Sequence, residues 1–332
     1  MVKIDHKSGD RHAKLATSAR GPRHPIGDEN AITRCRLNGT PAAAENWRAP
    51  PATGASSLAS PIIFSGTHPV IRKLDAVLQL SEDERKAILA LPVDQRSIEA
   101  NQEVVREGDH PTRSIVVLEG VACAFKLTGA GRRQILAFYI TGDIPDLPGL
   151  HLKSSDISVA TISACKLGFI QHADLWKLCE RHVRVAAVLW RETLVQGSIS
   201  REWITNVGQR EGLSRAAHLI CEFVVRMRVR GLASDYSCDI PMTQLDLGDA
   251  LGLSAVHVNR VLQELRKLGL IKLGSGHLKV LDWDGLKEIG DFDPGYLHLR
   301  KAAGEGLAFA DADDVGIDDP ARGAQLRRSK TC

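Results

Sequence analysis

The side chains with the clearest chemistry lie on one side of a helical pattern at residues 254–268. The apolar residues of this pattern recur at helical spacing, so they form one buried stripe. They are Val258, Val261, Leu262, Leu265 and Leu268. The opposite side carries side chains of types that can contact base edges in a DNA groove. These predicted base-contacting residues are Val256, His257, Asn259 and Arg260.

Arg260 is the strongest candidate, because a guanidinium can donate two hydrogen bonds to guanine O6 and N7, worth about 1–3 kcal/mol of discrimination. Val256 suits a thymine methyl group, and His257 can donate to a base acceptor or to a phosphate. Neighbouring polar and basic residues are predicted to contact backbone phosphates, which position a protein on duplex DNA without reading its sequence. They are Thr243, Ser254, Gln263, Arg266, Lys267, Lys272 and Lys279.

Two short helices around a glycine turn are predicted to hold this surface. Thr243 is a favourable N-cap, and Asp246 three residues later completes a capping-box pattern. Gly252 ends the first helix where a tight turn needs positive φ, and Ser254 caps the second helix. The pattern predicts a helix-turn-helix, whose second helix enters the major groove. A β-hairpin over residues 271–280 would stand beside it as a wing.

A second, β-rich domain is predicted upstream, at residues 67–182 with flanking helices. Its short β-forming runs are separated by turn sequences at Gly108-Asp109, Glu119-Gly120 and Gly142-Asp143, which is typical of a compact barrel or sandwich. An amphipathic connecting helix is predicted at residues 183–209, without a fixed heptad register. Residues 210–290 complete the winged helix-turn-helix domain. The predicted fold class is therefore α+β.

Composition is compatible with this architecture. The chain has 332 residues with 43 Lys and Arg against 40 Asp and Glu, so it is not polybasic overall but can carry a local basic face. Seven cysteines without a CxxC pair favour reduced thiols and a cytoplasmic location. No apolar run is long enough for a membrane span. Residues 1–66 and the acidic residues 291–332 lack periodicity, and we expect both tails to be disordered.

Residues 243–271 resemble the DNA-binding domain of the Crp/Fnr family of bacterial transcription regulators, and the resemblance covers roughly residues 70–285. It implies a jelly-roll-like, cyclic-nucleotide-binding-like β-roll sensor domain followed by a dimerisation helix. It further implies a homodimer that binds double-stranded DNA at a two-fold symmetric operator and acts on RNA polymerase. By position, Arg260 matches the base-reading arginine of the family. Val256 lies where many members carry glutamate, so the usual half-site sequence is not expected here.

The resemblance also locates an effector segment. In members that bind a cyclic nucleotide, an arginine and a neighbouring Ser or Thr neutralise the phosphate. Here Ser155 and Asp156 occupy those positions, with Asp143 and Lys153 in the same segment. Because the Asp156 carboxylate would repel a phosphate, we expect that cyclic AMP is not the effector, although Lys153 is a cation able to rescue such binding. The effector is otherwise unknown, and no cofactor or metal is expected.

The sequence is also compatible with other functions. The helix-turn-helix could serve protein–protein contact in a signal-binding module. Enzymatic activity is not expected, since no Ser/His/Asp constellation, phosphate-binding loop or metal-ligand spacing is visible. Cys123 and Cys165 fall on predicted strands, where they are either buried apolar residues or a thiol sensor.

Overall fold

The protein is described from a computed structural model, which describes residues 68–300. The predictions of disorder for residues 1–66 and 301–332 lie outside the described residues. No helix among residues 68–300 combines the length and the apolar character needed to cross a bilayer.

The N-terminal domain begins with two helices, α1 (Pro69–Val77) and α2 (Glu82–Leu89), and continues as a roll of antiparallel strands. The strands are β1 (Asp94–Ile98), β2 (Glu103–Val105), β3 (Arg113–Glu119), β4 (Ala122–Leu127), β5 (Arg133–Tyr139), β6 (Ser158–Thr161) and β7 (Cys165–Gln171). They form two sheets, in the orders β1-β7-β3 and β2-β6-β4-β5. The sequence predicts this β-rich region but not β1, whose residues are largely polar and half-buried.

Alternation along the strands divides the side chains between two cores. Ile115, Val117, Leu167 and Val159 face the inside of the roll, where each is at most 1% exposed. The opposite face of the β1-β7-β3 sheet packs on the flanking helices through residues such as Val116. The roll interior is therefore filled by its own apolar side chains.

The rest of the described chain is mostly helical. It contains α3 (His172–Arg181), α4 (Val183–Gln209), α5 (Gly212–Val229), β8 (Ser237–Asp239), α6 (Gln244–Leu251), α7 (Ala255–Lys267), β9 (Ile271–Gly274), β10 (His277–Val280) and α8 (Trp283–Ile289). The predicted wing is the β9–β10 hairpin, and β8 adds a third strand in the order β8-β10-β9. The sequence does not predict β8, since three residues are too few for a periodic signal.

A buried ionic cluster joins the β-roll to the helices that follow it. The fully buried carboxylate of Asp143 accepts ion pairs from Arg226 (2.9 Å) and Arg230 (3.0 Å) of the α5 region and from Lys73 of α1 (3.0 Å). Lys73 also pairs with Glu192 on α4. Buried charges need such pairing to be tolerated, so this cluster fixes how α1, α4 and α5 meet.

Residues 291–300 are structured, which corrects the prediction that a disordered tail begins at residue 291. They include a 3-10 turn at Pro294–Leu297. Phe292 is 3% exposed and Leu297 is 2% exposed. Apolar burial of these side chains offsets the entropy of ordering the segment. The sequence does not predict this order, because the ten residues show no helical or strand periodicity.

A second buried carboxyl, Asp146, lies beside the edge strand β3. Its Oδ1 accepts a hydrogen bond of 2.7 Å from the Ile115 amide, so the side chain takes the place of a missing neighbouring strand. Burial raises the pKa of Asp146 to about 7, against the lowering effect of its backbone hydrogen bonds. The protonated form of this group is therefore favoured in the folded protein below about pH 7.

This shift predicts an unusual pH dependence of stability. The folded pKa lies above the unfolded value of 3.8, so the contribution of Asp146 is complete below that value and is lost as pH rises through about 7. Asp146→Asn keeps the acceptor for Ile115 and removes the charge. We expect urea unfolding of the variant to show a smaller loss of stability between about pH 4 and 7 than the wild type shows. An unchanged slope would contradict the assignment.

Candidate nucleic-acid interface

The helix-turn-helix is built from the capping pattern that the sequence predicts. The Thr243 hydroxyl accepts from the Asp246 amide (3.1 Å), and the Asp246 carboxylate accepts from the Thr243 amide (3.0 Å). Gly252 ends α6 with φ of +65°, a conformation that favours glycine. The Ser254 hydroxyl accepts from the His257 amide (3.3 Å) at the start of α7. Local sequence thus sets both helix starts and the turn.

Close approach of α6 to the turn depends on Gly248, which the sequence did not single out. A Cβ at this position would lie 2.6 Å from the carbonyl oxygen of Leu253, well inside van der Waals contact. The missing side chain lets the turn and the start of α7 sit directly against α6. The sequence feature that indicates this close approach is a glycine in the middle of a helix. Such a glycine costs about 1 kcal/mol of helix stability relative to alanine, so its presence indicates a packing requirement.

The outer face of α7 is open in the arrangement described. Val258, Val261, Leu262 and Leu265 are at most 5% exposed, whereas Val256 is 81% exposed. The sequence predicts Leu268 in the same buried stripe, but this residue is 53% exposed, because α7 ends at Lys267. Arg260 is exposed as well. Among residues 68–300, no side chain forms a hydrogen bond or ion pair with Arg260, so its guanidinium is free to meet a ligand. Of the four predicted base-contacting residues, the helix therefore presents Val256 and Arg260 to solvent.

One polar side chain, Asn259, connects α7 to α6 at the edge of this face, and Gln263 on α7 holds it in place. The Asn259 amide donates to Gln244 Oε1 (3.3 Å), and the Gln263 amide donates to Asn259 Oδ1 (2.9 Å). Asn259 is half-buried. These bonds restrict the rotamers of Asn259 and Gln263 before any ligand arrives.

His257 lies at the margin of the reading face. Its ring is half-buried, and a Cβ on Gly212 at the start of α5 would be 2.9 Å from His257 Nε2. Gly212 thus makes room for the imidazole. The structure places His257 between α7 and α5, while Val256 and Arg260 point into solvent.

The wing extends the positive surface. Lys272 and Lys279 are exposed and occupy directly opposite positions on β9 and β10. Like charges opposite each other destabilise a sheet, and a phosphate between them would relieve that repulsion. Arg266 donates from Nη2 to the carbonyl of Leu273 (2.8 Å), so it holds the wing against α7. Lys267 on the same helix is exposed.

The β-roll holds α6 through a contact that the sequence did not predict. Arg133 on β5 pairs through Nη2 with Asp246 (2.6 Å) and through Nε with Asp249 (2.7 Å). Gln134 beside it donates to the carbonyl of Ala250 (3.4 Å). Thr243 remains exposed. The β-roll therefore contacts α6 through ion pairs and a hydrogen bond, and it leaves the outer face of α7 exposed.

The predicted effector residues are not assembled into one site. Asp143 is wholly buried in the ionic cluster, whereas Lys153 and Asp156 are exposed. Ser155 is half-buried, and its hydroxyl donates to the carbonyl of Ile157 (2.7 Å). Asp143 thus serves the contact between domains, because its carboxylate is already saturated by three cations.

The two cysteines considered as a thiol sensor are buried. Burial raises the pKa of Cys123 to about 12, which disfavours the reactive thiolate. Burial also raises the pKa of Cys165, whose thiol contacts the carbonyl of Val121 (3.3 Å). Within residues 68–300 no group of His, Cys, Asp and Glu side chains is arranged to hold a metal ion.

Comparison with known proteins supports both domains. The model of the Crp-like helix-turn-helix domain matches residues 214–289, and the model of the cyclic nucleotide-binding domain matches residues 95–182. The transcriptional activator protein FnrL of Cereibacter sphaeroides is 26% identical, over 67% of this chain and 91% of its own length. The nitrogen fixation regulation protein FixK of Bradyrhizobium diazoefficiens is 28% identical, over 55% of this chain and 76% of its own. The solved structure of FixK2 from Bradyrhizobium japonicum is 25% identical, with a TM-score of 0.53, and the match covers 59% of this chain and 96% of that one.

Proposed function

Since the chain belongs to the Crp/Fnr family of transcription regulators, we propose that it reads a two-fold symmetric DNA operator as a homodimer. The observation that carries the proposal is the outer face of α7, where Arg260 is exposed and unpaired among the described residues. The inner side chains Val258, Val261, Leu262 and Leu265 are buried. Lys272 and Lys279 on the wing supply phosphate contacts beside it. RNA polymerase is the partner through which the bound dimer would act.

The homodimer is supported by an exposed apolar seam along α4. Val183, Trp190, Leu194 and Ile204 are 75%, 69%, 59% and 72% exposed. They lie 7, 4 and 10 residues apart, which are close to multiples of the 3.5-residue repeat of a two-stranded coiled coil. Gly197 lies on the same seam and leaves room for a second helix to approach. We propose that α4 of a second copy covers this seam.

Leu194→Glu is expected to dissociate the dimer, because it places a charge in the apolar seam. Sedimentation velocity should show the mass of a single chain, and affinity for the operator should fall with it. Gln209→Glu is the matched control, since it adds the same charge at an exposed position of α4 outside the seam. A Leu194→Glu protein that sediments as the wild type does would disprove this interface.

We propose that cyclic AMP is not the effector of this protein. Asp156 would repel a phosphate, and the inside of the roll is filled by side chains such as Val117 and Leu167, both wholly buried. Calorimetric titration of the full chain with cyclic AMP should show no binding in the micromolar range. Saturable micromolar binding would overturn this part of the proposal.

The direct test of the proposed function is selection of bound duplexes from random DNA by the full chain, followed by a salt titration. Phosphate contacts release counterions, so the logarithm of the binding constant should fall with the logarithm of salt by about 0.9 per contact. Selection of one two-fold symmetric sequence supports the proposal. If no duplex is enriched, or if binding is insensitive to salt, the helix-turn-helix is better explained as a surface for protein–protein contact.

A further inference from the structure

A short segment after α8 ties the winged helix-turn-helix to the rest of the molecule. We call residues 290–300 the C-terminal strap. It lies beyond the region matched by the helix-turn-helix family model, which ends at residue 289. Its contacts therefore lie outside the residues that the family model matches.

The strap starts in tight contact with α5. A Cβ on Gly290 would lie 2.8 Å from the amide nitrogen of His218, so only glycine permits this approach. The carbonyl of Gly290 lies 3.0 Å from His218 Nδ1, and the Tyr296 hydroxyl lies 3.1 Å from His218 Nε2. Phe292 packs edge-on against the same ring, with centroids 5.2 Å apart. The strap is thus anchored on α5 by polar and aromatic contacts together.

The middle of the strap is tied to α4. Arg210, which follows α4, donates from Nη2 to the Asp291 carboxylate (3.1 Å) and to its carbonyl (3.2 Å). Nη1 of Arg210 forms an ion pair with Glu202 on α4 (2.8 Å). Since α4 is the proposed dimer helix, these bonds link the strap to the dimer axis.

The end of the strap reaches the sensor domain. Arg300 donates through its amide to the carbonyl of Ala76 (2.9 Å) and through Nη1 to the carbonyl of Asp75 (3.0 Å). Its Nη2 also donates to Gln79 Oε1 (3.2 Å). Asp75 and Ala76 lie in the last turn of α1, where carbonyls lack helical partners and a cation is favoured. Arg300 therefore caps α1.

A chain of buried polar contacts runs beneath the strap. The Tyr296 hydroxyl donates to Glu222 (2.9 Å), which pairs with Arg226 (3.2 Å). Arg226 pairs with Asp143, and Asp143 pairs with Lys73 of α1. Strap, α5 and sensor domain are thus connected in one network, while the outer face of α7 stays exposed.

We infer that the C-terminal strap fixes the orientation of the winged helix-turn-helix on α4 and thereby sets the separation of the two reading helices in the dimer. This inference rests on the proposed function. Because the reading face is open with the strap engaged, the strap holds the DNA-competent arrangement and does not mask it. Loss of the strap should therefore weaken binding to the specific DNA site. It should not strengthen binding, as loss of a segment that masked the reading face would.

The test uses the full chain and the symmetric duplex that it selects, with a second duplex that carries one extra central base pair. Insertion changes the distance between half-sites and rotates them by about one tenth of a turn. Arg300→Ala should bind the selected duplex about fivefold more weakly and discriminate between the two duplexes about fivefold less, because a smaller fraction of molecules holds the competent orientation. Lys287→Ala removes a cation from exposed α8 without touching α1 and should match the wild type.

Hydrogen exchange provides the second measurement, because it does not depend on DNA. In Arg300→Ala the amides at the end of α1, residues 75–80, should exchange faster than in the wild type, and circular dichroism should show an unchanged fold. An unchanged affinity ratio for the two duplexes would overturn the inference about spacing, and unchanged exchange would overturn the contact itself. If the wild type selects no duplex, the proposed function fails together with the inference about spacing, and exchange still decides whether the strap joins the domains.

Discussion

Replacing Arg260 with alanine should abolish base preference at one position in each half-site of the operator. A bidentate contact to guanine discriminates by about 1–3 kcal/mol, so the dimer should lose roughly tenfold or more in affinity for its selected duplex. The reason is geometric, since Arg260 stands on the exposed side of α7 and no partner within residues 68–300 would have to release it. Fluorescence anisotropy with the selected duplex, and with duplexes substituted at each position, measures both effects.

Lys267→Ala is the matched control for Arg260→Ala. Lys267 is exposed about two turns further along the same helix, and its predicted contact is to a phosphate. Its loss should weaken binding evenly for all sequences and reduce the salt slope by about one contact per protomer, which is about two per dimer. If Arg260→Ala leaves both affinity and base preference unchanged, the reading face is assigned to the wrong side chains.

The helix-turn-helix could be predicted because its determinants are local. Thr243 and Asp246 are three residues apart, and Gly252 and Ser254 stand at the turn itself, so chain-neighbour chemistry fixes the caps and the left-handed residue. The apolar stripe of α7 then decides which side is buried. Arg260 follows from that register alone.

The contacts between domains could not be predicted in the same way. Arg133 meets Asp246 and Asp249, which are more than a hundred positions away along the chain. Asp143 stands at a glycine turn, where the sequence suggests an effector segment, yet its partners come from α1 and from the end of α5. An ion pair across such separations leaves no periodicity to detect.

The seam of α4 illustrates a partial prediction. Amphipathic spacing predicts the helix. Because Gly197 interrupts the apolar pattern, the sequence does not fix the heptad register of α4. Burial resolves it, because Val188 and Val195 pack inward while Trp190 and Leu194 stay exposed. Two apolar faces on one helix cannot be told apart in sequence, since both follow nearly the same period.

Asp143→Asn should strongly destabilise the folded protein. The carboxylate is wholly buried against Lys73, Arg226 and Arg230, and removing one partner of a buried ionic cluster costs about 3–5 kcal/mol, because the remaining charges are left uncompensated. Urea unfolding at fixed protomer concentration measures the loss, since dimerisation makes stability depend on concentration. Asp94→Asn, which breaks the exposed pair with Arg96, should cost less than about 1 kcal/mol.

The dependence of the free energy of unfolding on acidic pH is an independent test of the role of Asp143. Burial alone would raise the pKa of this carboxyl, but Lys73, Arg230 and Arg226 together hold it far below the ordinary value of 3.8. A depressed folded pKa stabilises the protein above the unfolded value, and that stability is lost as pH falls below about 4 toward the folded pKa. The wild type should therefore lose stability steeply on acidification, and Asp143→Asn should lose much less. This direction is opposite to that expected of Asp146, so equal acid limbs in wild type and Asp143→Asn would show that Asp143 does not hold the domains together.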